Sequence, residues 1–353
     1  VARYGYGGSY VSKFRVAVVG AGAVGEEMVR VLRQRDFPTS ELVILARSSR
    51  TQEIDGVAYQ VKETTAEAFD DIDIAFFAGT EGVKGASQVF GWEAVARGVF
   101  VVDNGDDYRM DDRVPLVVPE VNGDALANHQ GFVSNPNCST IQMVHALAPL
   151  HKLAGLKRVV VSTYQSVSGT GSAAIKELEQ QIQDYVAGND IKIDQYPYQI
   201  LLNLIPQISS LKSEYEGYYG EEIKMIKETR KIFGLPELAV SATCVRVPVF
   251  RAHSETVNVE FDRPISPDRA REALAAWPGI EVVDDPANGK YPMPLFAEGK
   301  DPTYVGRIRQ DSCNPNTLDM WVVADNIRKG AALNAVQIAE MAIERGYISG
   351  KNK

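Results

Sequence analysis

Cys138 stands in the run Ser134-Asn135-Pro136-Asn137-Cys138-Ser139-Thr140, between a short apolar stretch, Gly131 to Val133, and a helical pattern from Ile141 to Leu150. A cysteine at a helix N-terminus meets the positive end of the dipole and open amides, which favour thiolate over thiol and make a nucleophile. The alternative at such a position is a small buried apolar side chain. Cys244 falls inside the strand-like run Val240 to Val247, a core position, and Cys313 in a polar loop, where it is inert. Three cysteines without a CxxC pair indicate neither a disulfide framework nor a metal site.

A thiolate that attacks a carbonyl and later expels a tetrahedral oxyanion needs a proton carrier, and the chain offers four histidines. His129 lies in a polar turn, His145 on the helix after Cys138 and His151 just past its end. His253 follows a strand and a proline turn in Arg246-Val247-Pro248-Val249-Phe250-Arg251-Ala252-His253-Ser254-Glu255. The expected loop position could aim it into a cleft, which favours His253 as acid/base; the alternative is a solvated loop histidine. Further along, Ser162-Thr163-Tyr164-Gln165-Ser166-Val167-Ser168-Gly169-Thr170-Gly171 ends a strand in small polar residues. They let a planar ring or a phosphate approach the backbone, or Ser168 or Thr170 caps the next helix.

Gly20-Ala21-Gly22-Ala23-Val24-Gly25 follows the apolar strand FRVAVV and opens a helix. In that context GxGxxG indicates a dinucleotide pyrophosphate seated on a helix N-terminus. An NAD site places a carboxylate about 20 residues further on, to hold the ribose diol. Here the chain reads Arg47-Ser48-Ser49-Arg50, whose guanidiniums and hydroxyls suit a 2′-phosphate. NADP is therefore the expected cofactor, with a solvated loop as the other reading of that segment.

The elements that must position these residues fall into two patterns. From Phe14 to Val102 short apolar runs alternate with amphipathic helices, the signature of a Rossmann-type doubly wound parallel sheet. After about Asn137 longer, more alternating strands appear at Arg158 to Tyr164, Ala239 to Val247 and Thr256 to Phe261, with helices at Ser172 to Tyr185 and Glu221 to Ile232. These predict an α+β domain with a mainly antiparallel sheet. We therefore expect an N-terminal extension over 1–13, a cofactor domain over 14–137 completed by a C-terminal helix within 327–347, and a catalytic and dimerisation domain over 138–326. Leu333, Val336, Ala339 and Ile343 recur at helical spacing in that last helix, a stripe that needs a surface to cover. Forty-six acidic residues against 37 basic ones give a net charge of −9, which disfavours nucleic acid as a partner. Neither a membrane-spanning run nor a signal peptide is visible, so a cytoplasmic protein is expected.

From about Phe14 to Tyr347 the sequence resembles the aspartate-β-semialdehyde dehydrogenase family. The resemblance is carried by GAGAVG, DYRMD with VPLVVPEVN, SNPNCST, STYQSVSGTG, EEIKMIKETRKI, TCVRVPVFRAHSETV, VGRIRQD and ADNIRKGAALNAVQIAE. It implies NADPH-dependent reduction of L-β-aspartyl phosphate to aspartate semialdehyde and phosphate, on the route to lysine, threonine and methionine. By the resemblance Cys138 forms a thioester, His253 serves as acid/base and Gln165 orients the intermediate. Arg246 matches the clamp on the substrate's α-carboxylate, Glu221 the partner of its ammonium, and Arg109 with Lys224 the phosphate-binding pair. Asn137 is likewise expected at the substrate. Ser48, Ser49, Arg50, Thr80, Ser168, Gly169 and Asn326 join the glycine turn at the cofactor. A homodimer, or a tetramer built from dimers, is implied as well.

Two segments depart from the family pattern. Asn104-Gly105-Asp106-Asp107 stands where serines are common, and an aspartate facing phosphate is repulsive, so these side chains should point away or the subsite is altered. The Arg-Ser-Ala-Gly turn after the second strand is also missing, which leaves open whether Ser49 or Arg50 meets the 2′-phosphate. Three other readings compete with it: an N-acetyl-γ-glutamyl-phosphate reductase, disfavoured by Asn137 and Ser139 around the cysteine; a malonyl-CoA reductase; and a non-catalytic NADP-binding sensor, disfavoured because Cys138, Gln165, Arg246 and His253 are all present.

Overall fold

A computed structural model describes residues 13–79 and 85–350. The chain forms two compact units, one from residues up to Asn137 together with those from Ala331 onward, the other from Cys138 to Gly330.

The first unit holds strands β1 (Phe14–Val19), β2 (Thr39–Ala46), β3 (Arg50–Ile54), β4 (Val57–Glu63), β5 (Ile74–Phe77), β6 (Phe100–Asp103) and β7 (Phe132–Ser134) in the order β3-β4-β2-β1-β5-β6-β7. All neighbours run parallel except the β3/β4 hairpin. The inner strands are apolar throughout because both sheet faces are covered; in β5 all four residues of Ile74–Phe77 are buried. Helices Ala23–Gln34 and Ala86–Ala96 provide crossovers. The closing helix, Leu333–Glu344, sets Leu333, Val336 and Ala339 into the core that also contains Val16, Val18, Met28 and Phe76. Arg35 pins that helix through two hydrogen bonds of 2.7 Å to Glu340. Sequence patterning missed the β3/β4 hairpin, because RTQEI and VAYQVKE are mostly exposed and carry almost no apolar stripe.

The second unit holds β8 (Leu156–Gln165), β9 (Ala239–Arg246), β10 (His253–Phe261), β11 (Ile280–Val282), β12 (Thr303–Gln310) and β13 (Thr317–Ala324), ordered β11-β12-β13-β10-β8-β9. The β12/β13, β13/β10 and β10/β8 pairs are antiparallel, while β11/β12 and β8/β9 are parallel. One face of this sheet packs on the helix Cys138–Ala154, whose Met143, Leu147 and Leu150 join Val159, Val161, Cys244, Val257 and Val322 in one core. Register then fixes which polar residues share that face: Thr163 lies beside Cys244 and Glu255, and Gln165 beside Arg246. Among the described residues no helix is long and apolar enough to cross a membrane.

Candidate functional site

In the first unit the glycine turn is built by the main chain. Gly20 sits at φ +109°, and a Cβ on Gly25 would lie 1.8 Å from the Gly20 carbonyl oxygen, so helix and strand meet this closely only without side chains. Above Gly22 an added Cβ would meet nothing within 4 Å. Gly22 caps the helix Ala23–Gln34 without a side-chain hydrogen bond, leaving the amides of Ala23, Val24 and Gly25 for a ligand. The turn therefore fits a dinucleotide pyrophosphate.

Ser48, Ser49 and Arg50 are exposed at the end of β2 and the start of β3. Ser49 Oγ accepts from the Glu63 amide at 3.1 Å. Arg50 donates to Gln52 Oε1 at 2.9 Å, and Gln52 Nε2 donates to the Ala21 carbonyl at 3.0 Å and to Glu26 at 2.8 Å. Gln52 thus ties the Arg50 guanidinium to the glycine turn. Sequence reasoning passed over it because it stands in the unrecognised hairpin. Thr80 lies outside the described residues.

Arg109 is buried and donates to the Asn104 carbonyl at 2.7 Å. The neighbouring Asp107 turns onto the start of the helix Ala86–Ala96, where Ser87 and Gln88 both donate to it. A helix N-terminus is a favourable place for a carboxylate. Asp103, at the end of β6, accepts from the Gly105 amide at 2.8 Å, and burial pushes its carboxyl up to about 6. Asn137 is buried directly before the cysteine.

The second unit collects the remaining candidates. Cys138 is the first residue of its helix and half-buried. A Cβ at Gly330 would come within 2.9 Å of the Cys138 Cβ, so glycine there is what admits the cysteine's backbone so closely. Glu221 and Lys224 share one face of the helix Gly220–Phe233 with charged groups 3.7 Å apart. Glu221 Oε1 accepts from Gln165 Nε2 at 3.2 Å. Arg246 is anchored by donation from Nη1 to the Ser166 carbonyl at 2.6 Å, while its buried Nε has no hydrogen-bond partner among the described residues. One edge of the guanidinium is fixed and another is left for a ligand.

His253 was expected on a loop, but it opens β10 opposite Ala324 and is completely buried. The strand begins early because Ala252 turns the chain at φ +71°, a conformation costly for alanine. Asn326 Oδ1 holds that turn by accepting from the Ala252 amide at 3.0 Å, and accepts from Ser166 and Ser168 hydroxyls at 3.1 Å each. The Ser166 amide donates to His253 Nδ1 at 3.1 Å; Nε2 has no partner among the described residues. Burial, then the Arg246 charge, hold the His253 pKa well below the usual histidine value. The other histidines are engaged structurally: His145 with Thr303 and the Pro278 carbonyl, His129 with the Gly131 amide, His151 with the Leu156 amide. Gly169 covers the site, since a Cβ there would lie 2.8 Å from Arg246 Nη1 and 3.2 Å from the His253 ring. Ser168 bonds Asn326 instead of capping the following helix, whose N-cap is Gly171.

Behind these residues lies a second polar layer. Gln142 follows Cys138 by one helical turn, and Glu255 follows His253 by two strand positions; both are fully buried. Burial pushes the Glu255 carboxyl well up, Gln142 opposing that shift and Glu221 adding to it. The i, i+4 and i, i+2 spacings from the two reactive candidates were the available sequence signal. Ser166 and Gly330, by contrast, carry no signal without knowledge of what packs beside them.

Residues 15–129 match the family model described as semialdehyde dehydrogenase, NAD binding domain, and residues 147–329 match semialdehyde dehydrogenase, dimerisation domain. The chain is 48% identical to the aspartate-semialdehyde dehydrogenase of Aquifex aeolicus over 95% of its own length and 99% of that protein. It superposes with a TM-score of 0.89 on the crystal structure of aspartate semialdehyde dehydrogenase II from Vibrio cholerae complexed with ASA, at 42% identity, covering 94% of this chain and 99% of that one. Against the Candida albicans enzyme crystallised with NADP the TM-score is 0.72 at 25% identity, covering 95% and 99%. With an NAD-binding and a dimerisation domain model both matched, and relatives 42–48% identical over nearly the whole chain, the chain belongs to the aspartate-semialdehyde dehydrogenase family and is an oxidoreductase of that kind.

Proposed function

We propose that this enzyme reduces L-β-aspartyl phosphate to L-aspartate semialdehyde and phosphate with NADPH, through a thioester on Cys138, in the synthesis of lysine, threonine and methionine. The observation that carries this reading is the placement of a half-buried cysteine on the first turn of the helix Cys138–Ala154, where dipole and amides favour the thiolate. Attack on the acyl phosphate forms the S–C bond and breaks the C–O bond to phosphate, splitting one hard displacement into two easier steps. When bound, NADPH supplies the hydride that reduces the thioester carbon. Collapse of the hemithioacetal oxyanion restores the carbonyl and returns the Cys138 thiolate.

The other residues bind and orient. Arg246 offers its open edge to the α-carboxylate as a bidentate clamp, and Glu221, held by Gln165 and Lys224, receives the ammonium. Gln165 orients the acyl group, Lys224 and Arg109 neutralise the phosphate, and Asn137 borders the substrate. His253 presents Nε2 to the acyl oxygen as its acid/base partner. On the cofactor side, the amides from Gly22 to Gly25 receive the pyrophosphate, and Ser48, Ser49 and Arg50 the 2′-phosphate. Ser168, Gly169 and Asn326 border the nicotinamide. The Arg50–Gln52–Ala21 chain and the NADP-bound relative from Candida albicans support NADP over NAD.

A homodimer, alone or paired into a tetramer, is supported by the dimerisation-domain match over 147–329. An acyl phosphate and NADPH are metabolites of the cytosol, the compartment we assign. Phosphate-dependent oxidation of L-aspartate semialdehyde, followed at the nicotinamide absorbance with NADP and NAD in parallel, tests the whole reading. Robust turnover with NADP and little with NAD is expected. Turnover that does not depend on phosphate, or that prefers NAD, contradicts it.

A further inference from the structure

We infer that Gln142 and Glu255 form a neutral amide–acid brace between the helix Cys138–Ala154 and β10, and that both are positioning residues for Cys138 and His253. The inference rests on the Cys138 thioester reading above. Helix and strand pack against one another and run in the same direction away from the site: the helix ends at Ala154, β8 starts at Leu156, and Leu156 pairs with Phe261 at the far end of β10. Four helix residues rise about 6 Å and two strand residues about 6.6 Å. Gln142 therefore lies below Cys138 by the same step that sets Glu255 below His253. A tie at this lower rung fixes the spacing of the upper one, where the reactive groups stand.

Both side chains are fully buried, and Gln142 Oε1 and Nε2 and Glu255 Oε1 and Oε2 have no hydrogen-bond partner elsewhere among the described residues. The group that faces the Glu255 carboxyl from the helix is the Gln142 amide. On β8 the neighbouring Thr163 accepts from Gln165 at 3.3 Å, and on β13 the neighbour is Val322. An ionised carboxylate can only accept, so it would take a bond from the amide N–H and turn its other oxygen on the amide carbonyl, acceptor against acceptor. A protonated carboxyl donates to the Gln142 carbonyl oxygen and accepts from its N–H, which satisfies all four buried ends at once. The charged group facing Glu255 is Glu221 of the helix Gly220–Phe233; burial, and then this like charge, push the Glu255 carboxyl well up. Held neutral, Glu255 leaves Glu221 as the carboxylate for the substrate's ammonium and sets no negative charge beneath the Cys138 thiolate.

Infrared difference spectroscopy of the wild type against Glu255→Gln at neutral pH tests the protonation state without turnover. Expected is the carbonyl band of a protonated carboxylic acid, which shifts in heavy water and is missing from Glu255→Gln. Loss of an ionised-carboxylate band in its place overturns the inference. Two amides pair as an amide and an acid do, so Glu255→Gln keeps the brace, and its kcat and the pH profile of Cys138 alkylation should match the wild type. An alkylation profile displaced to lower pH would reveal a negative charge removed, and contradicts a neutral Glu255. Gln142→Met and Glu255→Met, close in volume, cut the brace. Each should lower kcat about 10- to 100-fold, the effect of a small misplacement of reacting groups, with KM for the semialdehyde near wild type. The double variant Gln142→Met/Glu255→Met leaves no polar end unpaired and should fold like the wild type, yet keep the loss in kcat. Wild-type kcat in the folded double variant, or a loss in Glu255→Gln as large as in Glu255→Met, overturns the positioning role. The infrared result does not depend on a Cys138 acyl adduct, so failure of the brace and failure of the thioester reading are separately visible.

Discussion

The glycine turn of the first unit and the histidine pocket of the second, the two places where we propose that cofactor and substrate are held, are built by opposite means. At Gly20, Gly22 and Gly25 the working surface is main chain, made available by leaving side chains out. Around His253 it is a network of buried side chains, in which Ser166, Ser168, Asn326 and Arg246 each fix the next. The first arrangement is local and recurs at fixed spacing. The second joins residues as far apart in sequence as 166 and 326. Substitutions should therefore act differently in the two regions, abolishing binding in one and separating catalysis from binding in the other.

The largest effect belongs to the second unit. Cys138→Ala should lower kcat by about 10⁴-fold or more while NADPH binding, read by fluorescence titration, stays near wild type. Retained turnover would break the division between binding and chemistry. In the first unit Gly25→Ala should do the reverse of this selectivity: the added methyl collides with the Gly20 carbonyl, so cofactor affinity and unfolding midpoint fall together, stability by about 3 kcal/mol. Unchanged NADPH affinity in that variant would remove the turn from the cofactor site.

Arg246→Lys comes next. The lysine replaces an anchored fork with a point charge, so KM for the semialdehyde should rise about 10- to 100-fold with a smaller change in kcat. A kcat loss with KM unchanged would place Arg246 on the reaction coordinate instead of on the carboxylate.

A pH experiment sharpens the contrast inside the first unit. Asp103 binds its proton up to about 6 in the folded protein and up to about 3.8 when unfolded. Between those values the folded state holds more protons, so stability declines as pH rises from about 4 to 6 and is level above, by about 3 kcal/mol in all. Asp103→Asn should flatten that decline in urea titrations relative to wild type. A wild-type profile as flat as the variant's would show that the carboxyl is not held neutral. The smallest effect is expected at Arg50→Ala, which should weaken NADP by about tenfold and leave NAD affinity unchanged.

The same contrast explains what the sequence made legible. Apolar runs at β1, β5 and β6 and the GAGAVG spacing identify the parallel sheet and its turn, because those features are periodic and local. The β3/β4 hairpin escaped, since an exposed polar ribbon has no buried face to print a pattern. Within the second unit, Cys138 and the Glu221–Lys224 pair could be read from helix position and i, i+3 spacing. The buried state of His253 could not, because it depends on Asn326 holding Ala252 in a left-handed turn 74 residues away in sequence. Gly330 and Gln52 were equally silent: each matters only through a neighbour brought by the fold.

The central claim is the acyl bond to Cys138. Wild-type enzyme mixed with L-aspartate semialdehyde and NADP in the absence of phosphate should accumulate an aspartyl adduct on the peptide containing Cys138, visible by mass spectrometry and discharged when phosphate is added. An adduct on another residue, or turnover in phosphate without any Cys138 adduct, would contradict the account.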